Sequence, residues 1–192
     1  RFITNRSTGK MGAAIVEAAC MRGARVKVIT GPVMVEYAPW SDVIHVRSAR
    51  EMLDAVKDNL AQADVLVMAA AVADYTPNTY SQRKIKKGER TAHIELTSTP
   101  DILATIRPLK ESKIFVGFAA ETENLKSYAQ DKMVRKGLDM IVANQVGEPQ
   151  SGFASDTNSG VILSPEGVMY DFEHMEKDVL AHRILDLVKE RL

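Results

Sequence analysis

The stretch Asn5 to Gly12, NRSTGKMG, leads directly into an alanine-rich apolar segment, so small residues, hydroxyls and backbone N–H groups gather where a helix would begin. A helix N-terminus presents unpaired donors and the positive end of the dipole, which favours an anion such as phosphate. Only Gly9 and Gly12 stand where a dinucleotide turn carries G-x-G-x-x-G, so an ordinary strand-to-helix connection fits the segment equally well. AAAVADY, 69 to 75, sets three alanines and then Asp74 after an apolar run; a flat ligand could approach the backbone there while the carboxylate meets a hydroxyl or a cation. A small-residue packing surface with a solvated Asp74 would read the same way. QRKIKKGER, 82 to 90, sets Arg83, Lys84, Lys86, Lys87 and Arg90 against Glu89 alone. At strand spacing Lys84 and Lys86 share a face and could converge on a polyphosphate, although solvated loops also carry such runs.

Other chemistries are excluded by type and spacing. His45, His93, His174 and His182 are scattered without zinc-ligand spacing, and G-x-S-x-G is absent. A magnesium ion held mainly by nucleotide phosphates, with one carboxylate, stays open. The single cysteine, Cys20, lies in the alanine-rich segment and reads as core. The 192 residues are 45% hydrophobic and 26% charged, enough for one globular domain with a sizeable core. With 25 basic and 25 acidic residues the net charge is zero, so no global field draws the chain to nucleic acid or to an anionic membrane. The longest apolar run, Val65 to Ala73, lies between Asp64 and Asp74 and is far too short for a membrane span. Nothing in the opening residues reads as a signal peptide, so a cytoplasmic setting is expected.

The elements that must position these residues alternate. Gly12 to Arg22 reads as a helix closed by Gly23, and Arg25 to Thr30 as a strand ended by Gly31-Pro32. Ser48 with Glu51 makes a capping box for a helix with apolar Met52, Leu53, Val56 and Leu60. Val65 to Met68 is a buried strand. Thr99 as N-cap and Pro100 as first helical residue open a helix through Ile102, Leu103 and Ile106. Lys113 to Phe118 follows as a strand, Thr122 to Lys136 as a helix ended by Gly137, and Asp139 to Ala143 as a strand. Gly147 to Gly160 is polar and turn-rich, Val161 to Leu163 and Val168 to Phe172 form a hairpin, and Met175 to Leu192 is a closing helix. That helix should turn Val179, Leu180, Ile184, Leu187 and Val188 inward. Short, nearly all-apolar strands alternating with helices predict a doubly wound α/β sandwich around a mostly parallel sheet, Rossmann-like, with a C-terminal hairpin. Ligands then bind beyond the carboxyl ends of the strands, at Asn5 to Gly12, Ala69 to Tyr75, Pro100 to Leu103 and Gly117 to Thr122.

The ordered set RFITNRSTGKMG, GPV at 31 to 33, AAAVADY, KIKK at 84 to 87, TPDIL at 99 to 103, VGFAAET at 116 to 122, and IVAN running into GFASDTN at 153 to 158 resembles the ligase domain of bacterial phosphopantothenate-cysteine ligase. The likeness covers nearly the whole chain. It implies a two-step, CTP-dependent amide synthesis in coenzyme A biosynthesis: 4'-phosphopantothenate attacks CTP to give an acyl-cytidylate and pyrophosphate, and L-cysteine then displaces CMP. By position it implies that Asn5 and Lys84 are catalytic, Asn5 holding the acyl group and Lys84 the phosphates. Backbone at Met68, Ala69 and Ala70 would serve the nucleotide, with Asp74 on the cytidine side or on Mg²⁺. Pro100, Asp101, Ile102, Leu103 and Phe118 would form the base pocket, and Lys132 and Lys136, one helical turn apart, would complete the phosphate contacts. Arg1 and Ala71 would join Asn5 at the phosphopantothenate site, Arg1 serving a neighbouring subunit of a homodimer. The resemblance further implies a first strand and a glycine-rich turn upstream of Arg1, and fusion to a flavin-dependent decarboxylase.

Two other readings are distinguishable. Tyr128 and Lys132 make the Y-x-x-x-K pair of a nicotinamide-dependent short-chain reductase, but the full glycine pattern is lacking and Thr30-Gly31 replaces the ribose-binding acid. Tyr128 is expected to pack inward instead. A non-catalytic nucleotide sensor would use the same fold without turnover.

Overall fold

A computed structural model describes residues 3–5, 7–79, 93–146 and 155–192. Its centre is a five-stranded sheet in the order β3 (Val65–Met68), β6 (Ile114–Glu121), β7 (Met140–Gln145), β8 (Thr157–Ser164) and β9 (Gly167–Glu176). The first three strands are parallel and the last two antiparallel. Beside it, β1 (Lys27–Thr30) pairs in parallel with β2 (Asp42–His45), while β4 (Tyr75–Pro77) and β5 (Leu96–Ser98) form a small antiparallel ribbon. Among the described residues no ladder joins β1 to β3.

The period-two alternation of a strand explains why the sheet needs helices on both sides. Phe115 on β6 and Ile141 and Ala143 on β7 point to one face, where α2 (Ala49–Leu60), α3 (Ile102–Ile106) and α4 (Leu125–Lys136) bring Leu53, Ile106 and Met133. Their alternates Ile114, Val116, Met140 and Val142 point to the other face, under α1 (Lys10–Met21) and α5 (Lys177–Lys189), which supply Ile15, Leu180 and Ile184. Each of these side chains larger than alanine contributes about 1.5–3 kcal/mol when taken fully from water. The doubly wound α/β reading is therefore correct, and among the described residues no helix is long and apolar enough to cross a membrane.

Local signals behave as their chemistry dictates, with some displaced. Ser48 accepts from Glu51 N at 3.2 Å, but the Glu51 carboxylate reaches Arg47 N at 2.8 Å, so the capping box closes one residue further upstream. Gly137 ends α4 with φ 66, a left-handed conformation that suits glycine, and a Cβ there would press on the Arg107 side chain. At Gly160 a Cβ would collide with the Ala143 carbonyl, so the close approach of β8 to β7 depends on glycine.

Several boundaries move. α3 starts at Ile102 with Asp101 as N-cap, its Oδ1 accepting from Ala104 N at 3.1 Å; Thr99 is not the cap and Pro100 not the first helical residue. The Thr99 hydroxyl instead donates to the Ala73 carbonyl at 2.6 Å. β6 runs on to Glu121, and α4 begins only after Asn124, at φ 50. β9 extends through Glu176, which pairs with Thr157, so α5 starts at Lys177 and leaves Val179 51% exposed rather than inward. Tyr128, expected inward, is likewise 51% exposed, because Ala129 and Met133 form the buried stripe of α4.

Candidate active site

The carboxyl ends of β3 and β6, with the loops after them, bring together segments that lie far apart in sequence. Asn5 Nδ2 donates to the Ala71 and Val72 carbonyls at 3.2 and 3.3 Å, so the pair expected to share a substrate site meets across 66 residues. Ala69 and Ala70 follow β3 directly, Met68 being paired with Gly117, and Ala70 and Asp74 are exposed. The 69–74 loop is fastened to the start of the TPDIL segment by two bonds, Thr99 Oγ1 to Ala73 O and Thr99 N to Asp74 O, the second 2.9 Å long. Arg1 and Lys84 lie outside the described residues, as does the rest of the basic run up to Arg90.

Within TPDIL the side chains divide. Ile102 and Leu103 are buried in the core beneath α2 and α4, so only their backbone is available to a ligand, whereas Pro100 is half-buried and Asp101 exposed. The Phe118 side chain packs on the α1/α5 face of the sheet, and its link to the α4 side is its carbonyl, which accepts from Lys132 Nζ at 2.9 Å. Lys136 Nζ donates to Asp101 Oδ2. The two lysines thus lie on one face of α4, as their spacing predicts, each already tied to a residue of the expected base pocket.

Electrostatics single out Lys132. Burial pushes its ammonium pKa down from the ordinary value, against the opposing pull of the Glu121 and Asp74 carboxylates and with Lys136 and Arg135 adding to the depression. It opens onto a recess of about 540 Å³ lined by Glu121, Tyr128, Asp131, Lys132 and Arg135. At Asp101 burial works against ionisation, but the hydrogen bonds from Lys136 and Ala104 N, with the Lys136 and Arg135 charges, hold the carboxyl below its usual range.

Glu121 lies within the Gly117 to Thr122 stretch that the strand ends mark as a ligand site, whereas Asp131 and Arg135 stand outside every stretch so marked. Glu121 sits at the end of the VGFAA strand, where position alone marks it, while Asp131 and Arg135 join through the helical spacing of Tyr128, Asp131, Lys132 and Arg135. The IVAN and SDTN motifs also meet: Asn158 Nδ2, on a residue only 5% exposed, donates to Asn144 Oδ1 at 3.2 Å across β7 and β8. Among the described residues no group of three or more His, Cys, Asp or Glu side chains could hold a metal ion.

Over residues 1–192 the chain matches the family described as DNA/pantothenate metabolism flavoprotein C-terminal domain. The chain belongs to this family. The Coenzyme A biosynthesis bifunctional protein CoaBC of Escherichia coli (strain K12) is 44% identical to it over 197 residues, covering 100% of this chain and 48% of that protein. The chain thus spans about half the length of the curated relatives it matches. Among solved structures, the C-terminal domain of Coenzyme A biosynthesis bifunctional protein CoaBC aligns with a TM-score of 0.83 at 35% identity, covering 99% of this chain and 86% of that one. A Cab2 mutant in complex with phosphopantothenate-cysteine shares the fold, with a TM-score of 0.77 at 14% identity over 100% of this chain and 81% of that one.

Proposed function

We propose that this chain is a CTP-dependent phosphopantothenate-cysteine ligase acting in coenzyme A biosynthesis. The observation that carries the reading is the meeting of Asn5 with the Ala71 and Val72 carbonyls at the carboxyl end of the sheet, in a chain matched by this family from end to end. In the first step a carboxylate oxygen of 4'-phosphopantothenate attacks the α-phosphorus of CTP. The bond to the bridging oxygen breaks, giving the acyl-cytidylate and pyrophosphate. In the second the amine of L-cysteine attacks the acyl carbon, expels CMP and loses a proton, leaving 4'-phosphopantothenoylcysteine.

The barrier to the first step is electrostatic, since two anions must approach and charge grows on the departing pyrophosphate. Lys84 and Lys132 supply positive charge toward that pyrophosphate. Asn5, fixed through its amide nitrogen, orients the acyl group, with Ala71 beside it and Arg1 reaching in from the second subunit of a homodimer. Backbone at Met68 to Ala70 and Pro100 to Leu103, with Phe118, receives the cytidine. Exposed Asp74 would hold a Mg²⁺ ion that is otherwise bound by the nucleotide phosphates, and the charge of that ion would help neutralise them. A cytoplasmic setting and fusion to a flavin-dependent decarboxylase in the longer protein belong to the same reading.

The test is product identity. Purified protein incubated with 4'-phosphopantothenate, L-cysteine, CTP and Mg²⁺ is expected to yield a cysteine amide and CMP in equal amounts by mass spectrometry. Nucleotide binding with neither product would leave a sensor on the same fold and overturn the ligase reading.

A further inference from the structure

We propose that Asn158 is a positioning residue: it holds the Asn144 carboxamide so that the N–H side, and not the carbonyl oxygen, faces the anionic oxygens of bound substrate. The inference rests on the ligase reading above and deepens it. Asn144 stands one residue from the carboxyl end of β7, in register with Ala120 on β6 and Gly160 on β8. It continues the row of Met140 and Val142 on the α1/α5 face of the sheet, but is only half-buried where those two are fully enclosed. Its Oδ1 accepts from Asn158 Nδ2 at 3.2 Å, and its Nδ2 donates to nothing among the described residues. What Asn144 has left to offer a ligand at this end of the sheet is therefore a donor.

A carboxamide that nothing holds turns over freely, and its wrong side would set an acceptor against a phosphate or carboxylate oxygen. Asn158 removes that freedom because it cannot turn over itself. It is only 5% exposed, and its one amide nitrogen serves two acceptors, Asn144 Oδ1 and, at 3.8 Å, the Met11 sulfur of α1. Turned over, Asn158 would aim its own oxygen at both, and a buried acceptor facing acceptors costs the full desolvation of that group. The strands leave no slack for another arrangement. At Gly160, the partner of Asn144 across the ladder, a Cβ would strike the Ala143 carbonyl and crowd Asn144 Cα. A pair that served only to join β7 to β8 would need no fixed sense, since either orientation closes one hydrogen bond.

The test is titration calorimetry with CTP and, separately, with 4'-phosphopantothenate on the wild-type protein, Asn144→Leu, Asn158→Leu and the double variant. Leucine keeps the branched shape of asparagine and removes its polar atoms. Asn144→Leu is expected to lose about tenfold in affinity for one of the two ligands, which identifies the source of the oxygen. Asn158→Leu should lose about threefold for the same ligand, with no further loss when Asn144 is already replaced. An Asn158 that merely stabilised the sheet would cost the same factor whether or not Asn144 is present. That result, or an Asn144→Leu protein that binds both ligands like wild type, overturns the inference alone. If Asn158→Leu does not fold, the wild type decides: its Asn144 side-chain amide signal in heteronuclear NMR, recognised by its absence from Asn144→Leu, should shift when the ligand is added, and a signal that stays in place overturns the inference. A wild-type protein that binds neither ligand overturns the ligase reading and the inference together.

Discussion

The two ends of the central sheet handle buried charge in opposite ways. At the amino end, Lys110 Nζ lies 2.6 Å from Asp139 Oδ1 and 3.1 Å from the Gly137 carbonyl, while Asp139 Oδ2 accepts from Phe115 N at 2.7 Å. Nearby, Arg191 pairs with Glu166 at 3.2 Å, so the recess between these groups is walled by matched ions. At the carboxyl end, Lys132 is half-buried and given a neutral carbonyl as its hydrogen-bond partner, with carboxylates acting on it only through space. A desolvated ammonium that is not matched by a bonded carboxylate keeps its attraction for an incoming anion; one locked against Asp139 does not. The first arrangement fastens β6 to β7, and the second leaves charge available beside the loops that would bind substrate.

Breaking each end should therefore give different phenotypes. The largest effect is expected from Asn5→Ala, which removes the amide held by Ala71 and Val72: ligase turnover should fall by roughly a hundredfold or more, with the melting temperature unchanged because the side chain is exposed. Steady-state kinetics beside a thermal melt read both. Next, Asp139→Asn at the amino end should cost about 2 kcal/mol in urea unfolding, since Lys110 loses its counter-ion while nucleotide affinity stays at the wild-type value. Lys132→Met sharpens the contrast from the other side. CTP affinity should drop about tenfold in titration calorimetry, while stability at neutral pH holds or rises, because a desolvated ammonium has been removed.

The smallest effect is a pH dependence. Asp101 has a folded-state pKa below its ordinary 3.8, so the unfolded chain binds the proton more tightly. Its stabilising contribution is present above that ordinary value and is lost as pH falls through the folded one. Denaturation curves of wild type and Asp101→Asn should differ above about pH 4 and converge on acidification. Lys132 has the opposite consequence: its depressed pKa penalises the folded state near neutrality, a penalty relieved as pH rises through the folded value toward 10.5.

Sequence reading succeeds where the physics is local. The apolar runs of β6 and β7 are buried on both faces and read as interior strands without any knowledge of their neighbours. Gly137 announces the end of α4 by the conformation only glycine adopts easily. It fails where a distant partner decides. Thr99 and Asp101 are both good N-caps, and the choice falls to Asp101 because the Thr99 hydroxyl is taken by Ala73, 26 residues earlier. Val179 turns outward because Glu176 stays in β9 to pair with Thr157, which fixes the phase of the helix that follows. At the candidate site, spacing predicts that Lys132 and Lys136 share a face, but what each ammonium holds lies on β6 and α3, beyond the reach of any periodicity.

Pyrophosphate release tests the central claim most directly. Purified protein would be given 4'-phosphopantothenate and Mg²⁺ with CTP, with ATP or with no nucleotide, each with and without L-cysteine. The account predicts release that needs both CTP and 4'-phosphopantothenate, with sustained turnover when cysteine is present. A folded protein that releases no pyrophosphate with either nucleotide would contradict it.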